Sequence, residues 1–81
     1  MRHSPVALTA FAETATLGSF SAAARKLGKS QSTVSSAIAN LEIDLGLSLF
    51  DRSRRKPTLT EHGRVMLGKV QEILAASDRL D

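Results

Sequence analysis

Cysteine is absent from this sequence, which excludes a disulfide framework and a thiolate zinc site and is compatible with a reducing compartment. The two histidines, His3 and His62, lie far apart along the chain. No apolar run approaches the roughly 20 residues needed to span a bilayer, and the N-terminus lacks the basic-then-apolar order of a signal peptide. These absences predict a soluble, cytoplasmic protein with no membrane segment, metal site or cofactor.

Catalytic signatures are also missing. The sequence contains no G-x-x-x-x-G-K-[ST] phosphate loop, no H-E-x-x-H zinc motif, no dinucleotide fingerprint and no glycine-flanked nucleophile turn. Serine, histidine and aspartate are present, but no histidine adjoins such a turn. We therefore predict that the protein is not an enzyme.

The positive charge is concentrated rather than abundant. The net charge is +3, yet segment 52–56 holds four of the 11 basic residues, so the remaining 7 basic and 8 acidic residues sum to −1. Segment 25–29 holds a second, weaker basic cluster. Charge gathered at two places on an otherwise balanced domain suggests a polyanion contacted at two places. The chain is also short enough that we expect a modest core, which a second copy or a partner would support.

The first part of the chain predicts two helices. Ser4 and Pro5 suit a helix start, and Gly18 suits its end. Between them, apolar residues at helical spacing predict helix one over about residues 5 to 16: Leu8, Phe11, Ala12 and Ala15. Ser21 is predicted to cap a short second helix over residues 22–27, whose alanines allow a neighbouring helix to approach closely.

Only residues 28–30 separate this helix from a third, and a turn this short is typical of a helix-turn-helix. Helix three carries an apolar stripe of Val34, Ile38, Leu41 and Leu45 and is closed by Gly46. At about 100° per residue, a narrow uncharged face lies opposite this stripe; it comprises Ser32, Ser35, Ser36 and Ala39, with Gln31 at its flank. Such a slim polar face suits a helix that enters a groove.

After Gly46 the helical period stops. Leu49 precedes the basic run and Leu59 follows it, while Pro57 disfavours a central strand. We therefore predict two short strands joined by a basic loop, a wing. The basic run could be an ordinary solvated loop, but its place after a helix-turn-helix pattern and the affinity of arginine for narrow minor grooves favour DNA contact.

Thr60 is predicted to cap a last helix of about 20 residues, with Glu61 at its positive end. Its apolar residues alternate spacings of four and three, as in a coiled coil. The residues predicted to pair two copies are Met66, Val70, Ile73, Leu74 and Leu80, with Ser77 in the same seam. Alternatively, they could pack on helices one and three of the same chain. A symmetric pair would read two half-sites arranged as an imperfect inverted repeat.

The stretch from Gly18 to Gly63 resembles the N-terminal DNA-binding domain of LysR-type bacterial transcriptional regulators. Its sequence is "GSFSAAARKLGKSQSTVSSAIANLEIDLGLSLFDRSRRKPTLTEHG". The matching pairs, in family order and spacing, are Gly18-Ser19, Ala23-Ala24, Ser30-Gln31, Leu41-Glu42, Leu45-Gly46, Leu49-Phe50 with Arg52, and Leu59-Thr60 with Gly63. Any one pair is weak evidence, whereas their joint order over more than half the chain is specific.

The resemblance implies a mainly α, winged helix-turn-helix fold: three helices and a two-stranded wing in residues 1–60, followed by a linker and dimerisation helix in residues 61–81. It implies that helix three enters the major groove, that the wing lies along the adjacent minor groove, and that two chains pair. A complete regulator of this type continues into a two-lobed α/β domain that binds a small-molecule effector, and we expect the 81 residues to be a fragment without that domain.

Candidate DNA-binding residues follow from both arguments. In the family, positions matching Gln31, Ser32, Ser35 and Ser36 face DNA, and Arg55 matches the wing arginine. Gln31 could bond adenine through two hydrogen bonds, or could be merely an exposed first-turn residue. The serines could bond DNA or cap locally. The full predicted set is Ser30, Gln31, Ser32, Thr33, Ser35, Ser36, Arg52, Arg54, Arg55 and Lys56.

The family often has proline at the position of Ser32, arginine at that of Ser36, and small residues where Arg54 and Lys56 stand. We therefore expect this protein to rely more on its wing than its relatives do. The rival interpretation is a winged helix used only for protein interaction. Such a module would bind duplex DNA no better than its modest net charge allows.

Overall fold

The computed structural model describes residues 5–80, and side chains only up to residue 76. It has four helices and two short strands in this part of the chain: α1 (Pro5–Leu17), α2 (Phe20–Leu27), α3 (Gln31–Leu45), β1 (Phe50–Asp51), β2 (Thr58–Leu59) and α4 (Glu61–Leu80). The predicted mainly α, winged helix-turn-helix fold is confirmed. Ser4, the predicted cap of helix one, lies outside the described residues.

The core lies between α1, α2 and α3. The predicted apolar stripe of α3 is buried at Val34, Ile38 and Leu41, where it meets Phe11 of α1. Ala23 and Ala24 of α2 are buried, as the small alanine side chains allow. Because α1 also packs against α4, this one helix contacts all three of the others.

The start of α2 differs from the sequence prediction. The helix begins at Phe20, and its cap is Ser19, whose Oγ accepts a hydrogen bond from the Ala22 amide at 3.1 Å. The prediction that Ser21 caps the helix is therefore wrong. Two serines flank the true start, and Ser21 Oγ instead lies 3.1 Å from Ser19 Oγ. The end at Gly28 is confirmed, with a φ of 68° that favours glycine.

The wing is a two-stranded antiparallel ribbon. Phe50 pairs with Leu59 and Asp51 with Thr58, so residues 52–57 form the connecting basic loop. Phe50 also anchors the wing in the core, since its ring lies edge-on to Phe11 at 5.6 Å and to Phe20 at 5.7 Å between centroids. The predicted wing is confirmed.

The start of α4 is bonded to the segment that precedes the wing. Thr60 caps α4 as predicted: its Oγ1 accepts from the Gly63 amide at 2.9 Å and donates to the Ser48 carbonyl at 2.7 Å. The Thr60 amide also donates to the Leu49 carbonyl at 3.0 Å. A side chain at Gly63 would collide with that same Leu49 carbonyl, so the close approach of α4 requires glycine here.

None of the helices within residues 5–80 is long and apolar enough to cross a membrane.

Candidate nucleic-acid interface

The outer face of α3 is open to solvent, as the spacing predicted. Gln31, Ser32 and Ser36 are exposed, whereas Ser35 is half-buried at the edge of the face. The strip continues through Ala39 to Ile43, which is 74% exposed. The side chains of this strip carry no charge, so a polyanion could approach it without repulsion.

Two of the predicted contact residues already serve the cap of α3. Ser30 Oγ accepts from the Thr33 amide at 3.1 Å and donates to Thr33 Oγ1 at 2.8 Å. Ser30 Oγ also lies 3.2 Å from Ser32 Oγ. These bonds fix the first turn of the helix, on which Gln31 is carried.

The four wing cations are not equivalent. Arg52 Nη1 donates to Glu42 Oε1 at 3.0 Å, and Arg54 Nε lies 3.9 Å from Asp51 Oδ2. Arg55 and Lys56 are exposed and form no ion pair with another described residue. The positive charge that the fold leaves uncompensated is therefore concentrated in the second half of the wing loop.

Asp51 shapes the turn that starts the loop. Its Oδ1 accepts hydrogen bonds from Ser53 Oγ at 2.6 Å and from the Ser53 amide at 3.0 Å. These bonds favour the carboxylate and hold the pKa of Asp51 below its ordinary value, with a smaller contribution from Arg54. The carboxylate form that accepts both hydrogen bonds is therefore the form present at neutral pH.

A surface cleft of about 300 Å³ joins the helix face to the wing. Gln31 contributes to one side, and Arg55, Lys56 and Pro57 contribute to the other, with the start of α2 as its floor. The structure thus brings together a predicted base-reading residue and the two uncompensated cations.

Glu42 is the important residue that the sequence analysis missed as part of the site. Its Oε2 accepts from the Leu49 amide at 2.7 Å and the Phe50 amide at 3.3 Å, in addition to the bond from Arg52. The signal was present as the Leu41-Glu42 pair of the family pattern. Nothing in helical periodicity, however, reveals which distant backbone amides a half-buried carboxylate will meet.

The second basic cluster is partly neutralised. Lys26 Nζ lies 3.1 Å from both carboxylate oxygens of Glu13 on α1, whereas Arg25 and Lys29 are exposed. This cluster therefore offers less free charge than the wing.

The predicted pairing residues on α4 divide into two groups. Val70 is completely buried against its own chain, so it is removed from the surface that a second copy could touch. Ile73 is 41% exposed, and Met66 and Leu74 are half-buried. Val65, which was not predicted, is 60% exposed. The Leu80 and Ser77 side chains lie outside the described residues.

The described residues contain no group of three or more side chains that could hold a metal ion.

Residues 6–64 match the family model described as the bacterial regulatory helix-turn-helix protein of the lysR family. The chain belongs to the LysR family.

Curated LysR-family relatives are transcriptional regulators. The chain is 61% identical over 57 residues to the HTH-type transcriptional regulator AceR of Acinetobacter baumannii, covering 70% of this chain and 19% of that protein. It is 42% identical over 71 residues to PtxR of Pseudomonas aeruginosa, covering 88% of this chain and 23% of that protein. The chain therefore spans about a fifth of the length of these relatives.

Solved LysR-family structures share the fold. The BenM DBD in complex with catB site 1 DNA superposes with a TM-score of 0.87 at 32% identity, over 90% of this chain and 81% of that one. Oxidised OxyR of Corynebacterium glutamicum gives a TM-score of 0.92 at 34% identity, over 99% of this chain and 26% of that one. Full-length CbnR complexed with its target DNA gives 0.84 at 36% identity, over 90% of this chain and 25% of that one.

Proposed function

We propose that this chain is the DNA-reading part of a dimeric LysR-type transcriptional regulator and binds double-stranded DNA sequence-specifically. In this proposal residues 1–60 read the DNA and residues 61–81 join two copies. The observation that carries it is the cleft shared by Gln31 and the free wing cations, because it aligns a polar helix face with concentrated positive charge. The DNA complexes of BenM and CbnR, whose folds this chain shares, support it.

The α3 face is proposed to enter the major groove. Gln31 is exposed at the first turn, where its amide can bond adenine through two hydrogen bonds, a contact that discriminates by about 1 to 3 kcal/mol. Ser32 and Ser36 are exposed along the same strip and are suited to base edges or phosphates. The role proposed for Ser30 and Thr33 is to hold the first turn in place, since their hydroxyls are already bonded to each other.

The wing is proposed to lie along the adjacent minor groove. Arg55 and Lys56 are unpaired among the described residues, and Arg54 is held only by a 3.9 Å contact with Asp51, so these three cations are available to DNA. Arg52, in contrast, is bonded at 3.0 Å to Glu42. If three phosphates are neutralised per chain, the slope of log affinity against log salt is about −3 per subunit. The wing then provides most of the affinity and responds to the width of the minor groove, whereas contacts to base edges in the major groove provide most of the sequence choice.

Two copies are proposed to pair through α4. This helix has 20 residues, or about 30 Å at 1.5 Å per residue, and presents Val65 and Ile73 to solvent. A twofold pair places two recognition helices about one helical turn of DNA apart, or a multiple of it, on an imperfect inverted repeat. We assign small-molecule effector binding to a further domain of a longer cytoplasmic regulator, as the family resemblance implies.

Selection of bound sites from a library of random duplexes at fixed salt tests the proposal. The expected result is one enriched sequence with twofold symmetry and a fixed half-site spacing. The opposite result is that no sequence is enriched and that affinity falls with salt no more steeply than for a protein of the same net charge. That result would indicate a protein-interaction module.

A further inference from the structure

The Glu42 carboxylate binds the recognition helix to the start of the wing. One of its oxygens accepts hydrogen bonds from the Leu49 and Phe50 amides, at 2.7 and 3.3 Å. The other accepts a hydrogen bond from Arg52 Nη1 at 3.0 Å. Glu42 lies on α3, whereas its three partners lie in or beside β1. With only 11% of its side chain exposed, this carboxylate is shielded from competing water.

Arg52 extends the same network to α2. Its guanidinium lies over the ring of Phe20, 5.8 Å from the centroid, in the geometry of a cation–π contact. Phe20 is the first residue of α2, and its ring also packs on Phe50. Arg52 therefore contacts α2 and α3 at once, whereas Arg54 approaches only Asp51 within the wing itself.

The wing needs such a connection because its own sheet is minimal. Two residue pairs hold β1 to β2, and an isolated two-stranded ribbon is marginal in water. A wing free to swing would have to be ordered when DNA binds, and that loss of freedom subtracts from affinity. A fixed wing also fixes the distance between the base pairs that α3 and the wing can contact.

Building on the proposed DNA-binding function, we propose that Glu42 and Arg52 are positioning residues that hold the wing at a set angle to α3, and that Arg52 is not itself a DNA contact. Their effect on sequence choice is then confined to the positions read through the wing. A general loss of folding would lower binding to every sequence alike.

The test uses site selection from random duplexes, affinity measurements over a range of salt, and thermal melting. The variants are Glu42→Gln, Arg52→Gln and the double variant. Glu13→Gln is the matched control, since it breaks the Lys26 ion pair, which is 3.1 Å long against 3.0 Å for Arg52–Glu42 and joins α1 to α2 rather than to the wing. Gln31→Ala and Arg55→Ala serve to mark which site positions are read by the helix and which by the wing.

We expect Glu42→Gln and Arg52→Gln each to weaken binding by about three- to tenfold, the range for loss of one partly solvated charged hydrogen bond. The double variant should weaken binding by less than the product of the two single effects, because both changes break the Glu42–Arg52 bond. Base preference should weaken at the site positions whose preference also weakens in Arg55→Ala. It should be retained at the positions whose preference weakens in Gln31→Ala. Glu13→Gln should retain the wild-type profile.

A fall of about one unit in the salt slope of Arg52→Gln, with Glu42→Gln binding like the wild type, would make Arg52 a phosphate contact and overturn the proposal. Equal weakening at all positions would also overturn it. The Arg52 side chain is 49% exposed, against 11% for Glu42, so Arg52→Gln keeps the test available if Glu42→Gln fails to fold. If the wild type enriches no site, the proposed function fails; if it enriches one that both variants leave unchanged, only the positioning role fails.

Discussion

The predicted DNA-binding residues differ in whether their side chains are already bonded to other residues of the protein. Ser30 and Thr33 are bonded to each other in the cap of α3, and Arg52 is bonded to Glu42. Gln31 and Arg55 are exposed, with no hydrogen bond or ion pair to another described side chain. Residues of the second kind can bind a ligand without first breaking a protein contact, so they are the sharpest targets for substitution.

Replacing Gln31 with alanine should relax base preference at one position of each half-site, by about 1 to 3 kcal/mol, because the two amide hydrogen bonds to adenine are lost. Site selection measures the change. Gln71→Ala, at another exposed glutamine on α4, should leave the profile unaltered. An unaltered profile for Gln31→Ala would dismiss this residue as a base reader.

Thr14 is completely buried in α1, and its hydroxyl finds no hydrogen-bond partner among the described residues. Thr14→Val removes that hydroxyl at nearly constant volume and should stabilise the fold by about 1 kcal/mol, raising Tm by about 4–8 °C. Thr16→Val is the control. The Thr16 hydroxyl is exposed and already donates to the Ala12 carbonyl at 2.8 Å, so its removal should bring no such gain. A Tm for Thr14→Val at or below that of the wild type would contradict this.

At the scale of elements, the wing depends on its neighbours more than on its own strands. Glu42 bonds its first strand from α3, and Thr60 bonds the preceding segment from α4. The loop between the strands keeps Arg55 and Lys56 free. A small ribbon is thus held firmly at its base and carries its charge at its tip.

Arg55→Ala should weaken binding to specific and non-specific DNA and lower the salt slope by about one unit per subunit, because one cation facing the phosphates is lost. It should also flatten base preference at the positions where the wing meets a narrow minor groove. Affinity titrations at several salt concentrations measure both effects. Lys69→Ala removes the same charge from α4 and should change the slope much less. A slope that Arg55→Ala leaves intact would argue against a phosphate contact.

Gly63→Ala should destabilise the fold by about 1 to 3 kcal/mol, because the new methyl group meets the Leu49 carbonyl and forces α4 away from the wing base. The control is Gly68→Ala in the same helix, where an added Cβ has no neighbour within 4 Å. That change should stabilise by about 0.5–1 kcal/mol through helix propensity. Denaturant unfolding measures the free energy of unfolding of both variants, which should fall for Gly63→Ala and rise for Gly68→Ala.

The elements were predictable because local signals agree with the fold. Apolar spacing and glycine stops located α1 and α3, and the basic run between apolar residues located the wing. The start of α2 was misplaced because Ser19 and Ser21 are equally good caps on local chemistry, and packing of Phe20 against Phe50 decides between them. Glu42 and Val70 depend on contacts between distant segments, which periodicity does not encode.

The whole molecule is an α-helical reading unit with one long helix that its own core covers only in part. Val70 faces that core, whereas Val65 and Ile73 face outward. A helix with one buried face and a second apolar face is suited to join two copies. The proposed reading surface therefore lies on α3 and the wing, and the proposed pairing surface lies on α4.

Ile73→Asp should convert dimers into monomers, because an unpaired charge would be buried between the two helices, and monomers should footprint poorly. Analytical sedimentation measures the mass. Gln71→Asp places the same charge on another face of α4 and should leave the dimer intact. An Ile73→Asp protein that still sediments as a dimer would remove α4 pairing from the proposal.

The packing of Phe20 beneath Arg52 and beside Phe50 has a practical consequence for solution work. The chain contains no tryptophan or tyrosine, so its intrinsic emission is almost silent. A tryptophan substituted at Phe20 would dominate the emission, and it would lie at the start of α2 against Phe50 and Arg52. Its emission intensity and wavelength would then report whether the Arg52 guanidinium stays over the ring or moves away from it.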